Sequence, residues 1–457
     1  MFEILVILAA LTALMMLAYY GGSVLLLAPA LAVAAAAATG GMPLLATYTQ
    51  LFMTAAGGFI IAFFPLFLLG AVFGRLMDDS GAARVLADWI TRRVGEDKAI
   101  LSVVLACAAL TYGGISLFVV AFAAWPLARA LFARTDTPAR LAPATIALGA
   151  FTFTMTALPG TPAIQNIIPT RFFGTDAFAA PGLGVIVALV MLGLGQLWLS
   201  FRASRLRAAG ERSPDLGESD GPDGPPVWAA ATPVIAVLVF NAVLGIWWLP
   251  SQDLSYLSLP EWGSISPGQV TGIWAIIAAL SIACVLALLL HRSHLSTPVT
   301  TLDEGGKASL LPIFNTASLV GFGAVIASLA GFAIIRDGLT GLSDWSVLVS
   351  LSLAVNVLAG ITGSASGGMS IALDTLGETY LTLATTTGIS PELLHRVTAV
   401  ATGGLDALPH NGAVVTLLGI CGMTHKEAYG DIFMVAVLIP LIALAVLIVL
   451  GSALGSF

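Results

Sequence analysis

The chain has 457 residues, 58% of them hydrophobic and 9% charged, with a mean hydropathy of +0.98. A water-soluble domain carries about 25% charged residues, so a soluble globule is excluded and an integral membrane protein is expected. The net charge of −7 without a basic cluster argues against nucleic acid as a partner, and Cys107, Cys284 and Cys421, odd in number and set in apolar stretches, form neither a disulfide framework nor a metal spacing.

The apolar start has no basic leader and runs directly into more apolar sequence, so no cleavable signal peptide is expected. Residues 4–74 contain no Asp, Glu, Lys or Arg, enough for three crossings of about 20 residues each. Breaks at Tyr20–Gly22 and Thr39–Pro43 divide them. Further uncharged stretches lie at 99–128, 141–170, 177–201, 224–252, 262–290, 308–335, 345–373 and 432–457. Residues 99–128 and 345–373 each contain a glycine break and continue into apolar chain, which predicts re-entrant helical hairpins over 99–132 and 345–385. The hydrophilic linker Arg202–Gly224 divides the protein near its middle. The fold expected is all-α and integral to the membrane, with about ten transmembrane helices plus two hairpins.

Residues 70–89 resemble 323–345, Thr111-Tyr-Gly-Gly-Ile-Ser-Leu resembles Ile361-Thr-Gly-Ser-Ala-Ser-Gly-Gly-Met-Ser, and Ala157-Leu-Pro-Gly-Thr resembles Ala407-Leu-Pro-His-Asn. Three matches in the same order and at nearly the same offset point to a duplicated half. With the linker in the cytoplasm, all basic residues except Arg171, Arg336 and Arg396 fall on the cytoplasmic side. The span 51–76 then ends inside and its mate 310–335 ends outside, so the halves are inverted repeats. Residues 1–203 form the first repeat (scaffold 1–76, hairpin and broken helix 99–203), 204–227 the cytoplasmic linker, and 228–457 the second repeat (scaffold 228–335, hairpin and broken helix 344–457). Inverted repeats with interrupted helices mark a secondary transporter.

The interruptions are Thr111–Ser116, Pro159–Asn166, Thr362–Ser370 and Pro409–Asn411. Proline removes a backbone donor, and glycine costs about 1 kcal/mol against alanine inside a helix. Backbone unwound at membrane depth must face protein or a watery cavity, and helix N-termini exposed there suit a carboxylate. The candidate substrate-binding residues are Gly113, Gly114, Ser116, Gly160, Thr161, Gln165, Asn166, Ser364, Ser366, Gly367, His410 and Asn411, with Ser370 beside them. Any one Ser or Thr also fits a plain bond back to its own helix, and Gly70-x-x-x-Gly74 reads as a packing motif. Asp406, His410 and Asp374 are the candidate proton-coupling residues, because ionisable groups inside a membrane are costly and by default functional. Asp374 and Asp406 also fit a structural role or a place in water. His291, His294, His395 and His425 fall at predicted membrane edges and are expected at the surface. No Lys or Arg is expected within the membrane to clamp a second carboxylate, which favours a monocarboxylate.

Phe64-Pro-Leu-Phe-Leu-Leu-Gly-Ala-Val-Phe-Gly, Ala157-Leu-Pro-Gly-Thr-Pro-Ala-Ile-Gln-Asn-Ile-Ile-Pro-Thr and Gly404-Leu-Asp-Ala-Leu-Pro-His-Asn-Gly-Ala-Val-Val-Thr-Leu-Leu resemble segments of the gluconate:proton symporter (GntP) family within the ion-transporter superfamily. The likeness extends over nearly the whole chain. It implies proton-coupled uptake of an organic acid at the bacterial inner membrane, and an elevator-type fold with substrate between hairpin tips and broken helices. On that fold, 99–203 and 344–457 would move against 1–76 and 228–335, and the scaffold would hold the interface of a homodimer. The chain has Leu408-Pro-His-Asn-Gly where gluconate permeases carry a His-Val-Asn-Asp-type segment. It is more similar to the branch handling short hydroxy or keto acids such as 3-hydroxybutyrate.

Membrane lipid and a small organic acid anion are thus the expected partners, with the proton gradient as driving force and no bound cofactor or metal. Gluconate or another sugar acid is the alternative substrate, and sodium the alternative coupling ion. An intramembrane hydrolase is disfavoured, since no His-Glu-x-x-His occurs and Gly363-Ser-Ala-Ser-Gly does not fit Gly-x-Ser-x-Gly. A channel is disfavoured by the central duplication.

Overall fold

The structure is a computed structural model that describes residues 2–19, 22–94, 98–114, 117–211, 224–265, 267, 270–334, 346–362, 365–409 and 411–457. Every regular element among them is helical, as expected for charge-free runs that must satisfy their backbone without water. The first three helices are α1 (Phe2–Tyr19), α2 (Val24–Thr39) and α3 (Leu44–Asp79), divided where the glycine-containing breaks stand. After α4 (Ala82–Val94) come α5 (Ala99–Tyr112) and α6 (Leu117–Arg134), the two arms of the first hairpin. Then follow α7 (Ala142–Ala150), α8 (Ile164–Phe173) and α9 (Pro181–Ala208).

The second half begins with α10 (Val227–Ser251), α11 (Thr271–Leu290) and α12 (Pro298–Ser328). The second hairpin is α13 (Val347–Thr362) and α14 (Ala365–Thr387). The chain ends with α15 (Pro391–Leu405), α16 (Gly412–Ile420) and α17 (His425–Leu454). Among the described residues, α3, α9, α10, α11, α12 and α17 are each long and apolar enough to cross a membrane. Prolines open α9, α12 and α15 in the first turn, where no N–H is missed.

Helix packing maps onto itself when the halves are exchanged. α1 packs on α2 as α10 packs on α11, and α2 meets α12 as α11 meets α3. The arms α5 and α6 pair as α13 and α14 do, α5 lies on α7 as α13 lies on α15, and α6 meets α16 as α14 meets α8. α3 with α12, and α9 with α17, join each half to its counterpart.

One expected interruption is narrower than the sequence suggests. α13 runs to Thr362 and α14 starts at Ala365, so Ser366, Gly367 and Ser370 are helical, while 363–364 lie outside the described residues. The glycines here serve close packing. A Cβ on Gly368 would lie 2.3 Å from the backbone of Ala359 on the opposite arm, so the arms touch only because no side chain stands between them. Gly368→Ala is expected to push them apart at about 1–3 kcal/mol. A lowered unfolding temperature in detergent checks this; an unchanged one would show the arms are not held at that distance.

Beyond the apolar layer, the predicted hydrophilic linker starts later than Arg202. α9 continues to Ala208 because Arg202 pairs with Asp431 at 2.7 Å, and Trp198 Nε1 donates to the same carboxylate at 3.0 Å. Asp431 is buried, so this pair fastens α9 to α17. Arg75 pairs with Asp79 and Glu304 between α3 and α12; those groups are exposed, and such pairs contribute little.

His291 departs from its expected surface position. It follows the last residue of α11 and is buried, with Nε2–H donating to Ala229 O at 3.0 Å and Nδ1 accepting from Ser80 Oγ at 3.2 Å. It joins α3, α10 and α11 at one end. Burial holds its imidazole below the ordinary histidine range, with a smaller push from His294 and an opposing pull from the Ala229 bond. The unfolded chain takes up this proton near pH 6.5 and the folded chain resists it. Its contribution is therefore complete above that pH and declines as pH falls through it. The unfolding temperature is expected to drop between pH 7.5 and 5.5 more steeply in the native protein than in His291→Gln. Equal slopes would refute the role of this imidazole.

Candidate functional site: two broken helices and an adjoining cavity

Two helices break inside the apolar body. The first runs from α7 through a turn at Phe153–Thr156, loses regularity, and resumes at α8. The second runs from α15 through Asp406–Asn411 to α16. The two cross at Thr156 and Gly403, where a Cβ on the glycine would lie 3.4 Å from Thr156 Cγ2. Each hairpin reaches one break. A Cβ on Gly114 (φ +91°) would lie 3.2 Å from Pro162, and one on Gly360 would lie 2.8 Å from Leu405 Cβ.

Carbonyls released by the breaks are taken up by side chains, as burial away from water requires. In the first break, Arg396 donates to Thr156 O at 3.3 Å, Tyr112 Oη to Pro159 O at 2.7 Å, Asn241 to Gly160 O at 3.2 Å, and Asn166 to Thr161 O at 3.0 Å. In the second, Tyr429 donates to Ala407 O at 3.2 Å and His425 contacts Pro409 O at 2.9 Å. Asn411 is the N-cap of α16, its Oδ1 accepting from Ala413 N at 2.6 Å and Val414 N at 3.2 Å. That is the ordinary way to satisfy the first free donors of a helix.

Arg396 overturns the expectation that no Lys or Arg lies within the apolar body: it is 0% exposed. The segment Leu393–Gly404 is buried all round, so a cation within it has nowhere else to go. Its Nε and one terminal nitrogen donate to Ala179 O at 3.0 and 2.7 Å, and the other bonds Asn166 Oδ1 at 2.9 Å as well as Thr156 O. No carboxylate lies within ion-pair distance of it among the described residues; Asp176, on the loop after α8, is the carboxylate that attracts it. His395 is likewise 0% exposed and not at a membrane edge. Thr175 Oγ1 donates to its Nδ1 at 2.6 Å, and its Nε2–H is turned to Asn166 Oδ1 at 3.3 Å, a tautomer assigned from those partners. Asn166 also donates to Ala177 O at 2.8 Å. Both amide hydrogens and both oxygen lone pairs are thus occupied, and Asn166 holds the break closed.

The remaining sequence candidates fall as follows. Gly113 and Gly114 end α5, Gly160 (φ +79°) turns the first break, and Thr161 Oγ1 accepts from Ala163 N at 3.3 Å. Gln165 stands in the first turn of α8 with its Oε1 buried and unpartnered. Asp406 is half-buried at the end of α15, its carboxylate turned towards the backbone N–H groups of residues 406 and 407. Ser116, Ser364 and His410 lie outside the described residues. Of eight buried side-chain polar atoms without a partner among the described residues, five lie on hairpins or broken helices: Thr111, Gln165, Asn356, Ser370 and Thr398. Buried polar groups without a protein partner are uncommon, and their grouping here marks these elements out.

A cavity of about 260 Å³ opens between these elements and the scaffold. Phe59 and Phe63 of α3 and Ala324 of α12 form its apolar wall, and Arg171, Ser370 and Asp374 its polar one. Asp374 continues into an open hollow of about 440 Å³ that also holds Thr375, Glu378 and Thr379. Sequence reasoning missed Arg171 as a site residue because a charge near the end of an apolar run reads as an interface anchor.

No family model matches the chain. It is 43% identical over 413 residues to the Bacillus subtilis (strain 168) protein named Uncharacterized transporter YxjC, covering 86% of this chain and 87% of that one. It is 25% identical over 397 residues to an uncharacterized transporter of Haemophilus influenzae, covering 84% and 83%. The crystal structure of the Alcanivorax borkumensis YdaH transporter, whose topology is described as unusual, superposes with a TM-score of 0.59 at 19% identity over 90% of each chain. That likeness bears on the fold alone.

Proposed function

We propose that this chain, which belongs to the transporter family of Bacillus subtilis YxjC, is a proton-coupled symporter that imports a short hydroxy or keto monocarboxylate such as 3-hydroxybutyrate. The chain is a multi-pass membrane transporter and not an enzyme. The observation that carries the anion is Arg396: a guanidinium fully buried where two broken helices cross, with no carboxylate in contact among the described residues. A buried charge without a counter-charge is strongly disfavoured, and an anion arriving nearby relieves it. Four of the five guanidinium hydrogens are spent on carbonyls and Asn166, so it acts on the anion mainly through its field.

The proton is assigned to Asp406 at the second break, with Asp374 and His410 as the further candidates. A carboxylate that neutralises beside an incoming anion lets the pair cross with little net charge. The resemblance to the gluconate:proton symporter family supports the substrate class, an elevator movement of the hairpin-bearing unit, a homodimeric scaffold and a place in the bacterial inner membrane. The exchange symmetry of the helix packing supports inverted repeats.

The test is uptake of radiolabelled 3-hydroxybutyrate into proteoliposomes under an inward proton gradient or an inward sodium gradient. Proton-driven uptake weakly inhibited by unlabelled gluconate is expected. Uptake driven by sodium alone, or full competition by gluconate, would overturn the coupling ion or the substrate respectively.

A further inference from the structure

The cavity against the scaffold is the part of the molecule that the crossing of the breaks does not explain. Arg171 stands seven residues into α8, so it lies about 10 Å along the helix from the break. It is exposed to the cavity, and among the described residues it has no hydrogen bond and no ion pair within 4 Å. Ser370 is 1% exposed, lines the same cavity and has no partner for its Oγ. Its neighbours on the facing wall are Phe59 and Phe63. Asp374, one turn beyond Ser370 on α14, feels the attraction of Arg171. A cation without a contact partner, a buried hydroxyl without one, an apolar wall and a single carboxylate thus share one space. That space has room for about eight waters, and so for a short acid.

We propose that this cavity is a capture site for short hydroxymonocarboxylates, in which Arg171 binds the carboxylate, Ser370 Oγ the substrate hydroxyl, and the charge on Asp374 sets how tightly the acid is held, the transported proton staying with Asp406. The proposal rests on reading the chain as a monocarboxylate symporter and adds a site that precedes the crossing of the broken helices. Ionised Asp374 competes with the substrate for Arg171. Once protonated it no longer competes for the field of the guanidinium, so a proton on Asp374 and the acid each strengthen the other's binding, as linkage requires. Among the elements around the cavity, α8 contributes Arg171, α3 and α12 line it with apolar residues, and Glu378 on α14 is the other carboxylate, in the adjoining hollow. A dicarboxylate would bring its second charge towards Glu378 in the adjoining hollow and is disfavoured by repulsion. The three ring-bearing side chains Phe59, Phe63 and Phe172 suit the alkyl end of the acid.

The experiment pairs transport with occupancy. Half-saturation is measured for 3-hydroxybutyrate and for butyrate, which lacks the hydroxyl. Arg171→Ala is expected to raise both about tenfold or more, the loss of one charge-assisted bond. Ser370→Ala is expected to raise only the value for 3-hydroxybutyrate, and Asp374→Asn to abolish the pH dependence of both. Equal effects of Ser370→Ala on the two acids, or an unchanged value in Arg171→Ala, would overturn the proposal.

Occupancy is read separately by the rate at which a charged thiol reagent labels Ala324→Cys, the native Cys107, Cys284 and Cys421 being buried. Protection by butyrate or 3-hydroxybutyrate that disappears in the added Arg171→Ala background supports the capture site, even if neither acid is transported and the symporter reading fails. Uptake by the native protein without protection would leave the symporter reading in place and refute the capture site.

Discussion

Arg396→Leu is expected to keep the protein from accumulating as a folded, monodisperse species, and Arg396→Lys is expected to rescue little. The guanidinium satisfies Thr156 O, Ala179 O and one lone pair of Asn166 Oδ1 from a single buried position. Leucine removes the disfavoured buried charge, which favours the variant, but it strands those acceptors at about 1–3 kcal/mol each. With two carbonyls and one Asn166 lone pair stranded, the loss of about 3 kcal/mol or more exceeds the gain, since the native site had already arranged its dipoles around the charge. Lysine keeps the charge but concentrates it on one nitrogen, which cannot span carbonyls on both sides of a planar fork. Size-exclusion profiles and unfolding temperatures of the two variants in detergent test this. A normal profile for Arg396→Leu would show that the first break is held by Tyr112, Asn166 and Asn241 alone.

Asp406→Asn is expected to abolish the response to a proton gradient while leaving exchange of labelled for unlabelled substrate intact. Each unit of pH difference can concentrate a one-proton symport substrate about tenfold, so loss of the carrier group shows as a collapse of accumulation to the level without a gradient. Asparagine retains the size of the side chain and an acceptor oxygen turned towards the same backbone N–H groups. The second break should therefore keep its shape. Counterflow that continues with no gradient response assigns the proton to Asp406, whereas an unaltered gradient response would move it to Asp374 or His410.

Much of this architecture was legible in the spacing of charges. The charge-free run to Arg75 contains three helices, the glycine breaks mark hairpins, and Pro159 and Pro409 mark interruptions, because each of these is a local property of the chain. Most of what was not legible depends on partners that the fold brings close. Arg396 sits early in its helix and reads as an interface charge until Thr156, Asn166 and Ala179 of the other half close around it. Its neighbour His395 is hidden for the same reason. Gly367 and Gly368 were read as a break by composition, yet they lie in a continuous helix because the opposing arm presents Ala359. Ser370 stood beside the candidates from the start, but Arg171 joins it only through the wall that α3 and α12 provide.

Asn241 belongs to α10, on the scaffold side of the proposed division, yet its amide holds Gly160 O in the break at 3.2 Å. Apolar surfaces slide past one another with little change in energy at each step, but a directional bond has one good length. Any displacement of the break along α10 must therefore cross a discrete detent of about 0.5–1.5 kcal/mol, after which Gly160 O needs a new donor or water. Were the break to move along α10, this link would act as a ratchet tooth and turn that travel into a jump between stations instead of a drift.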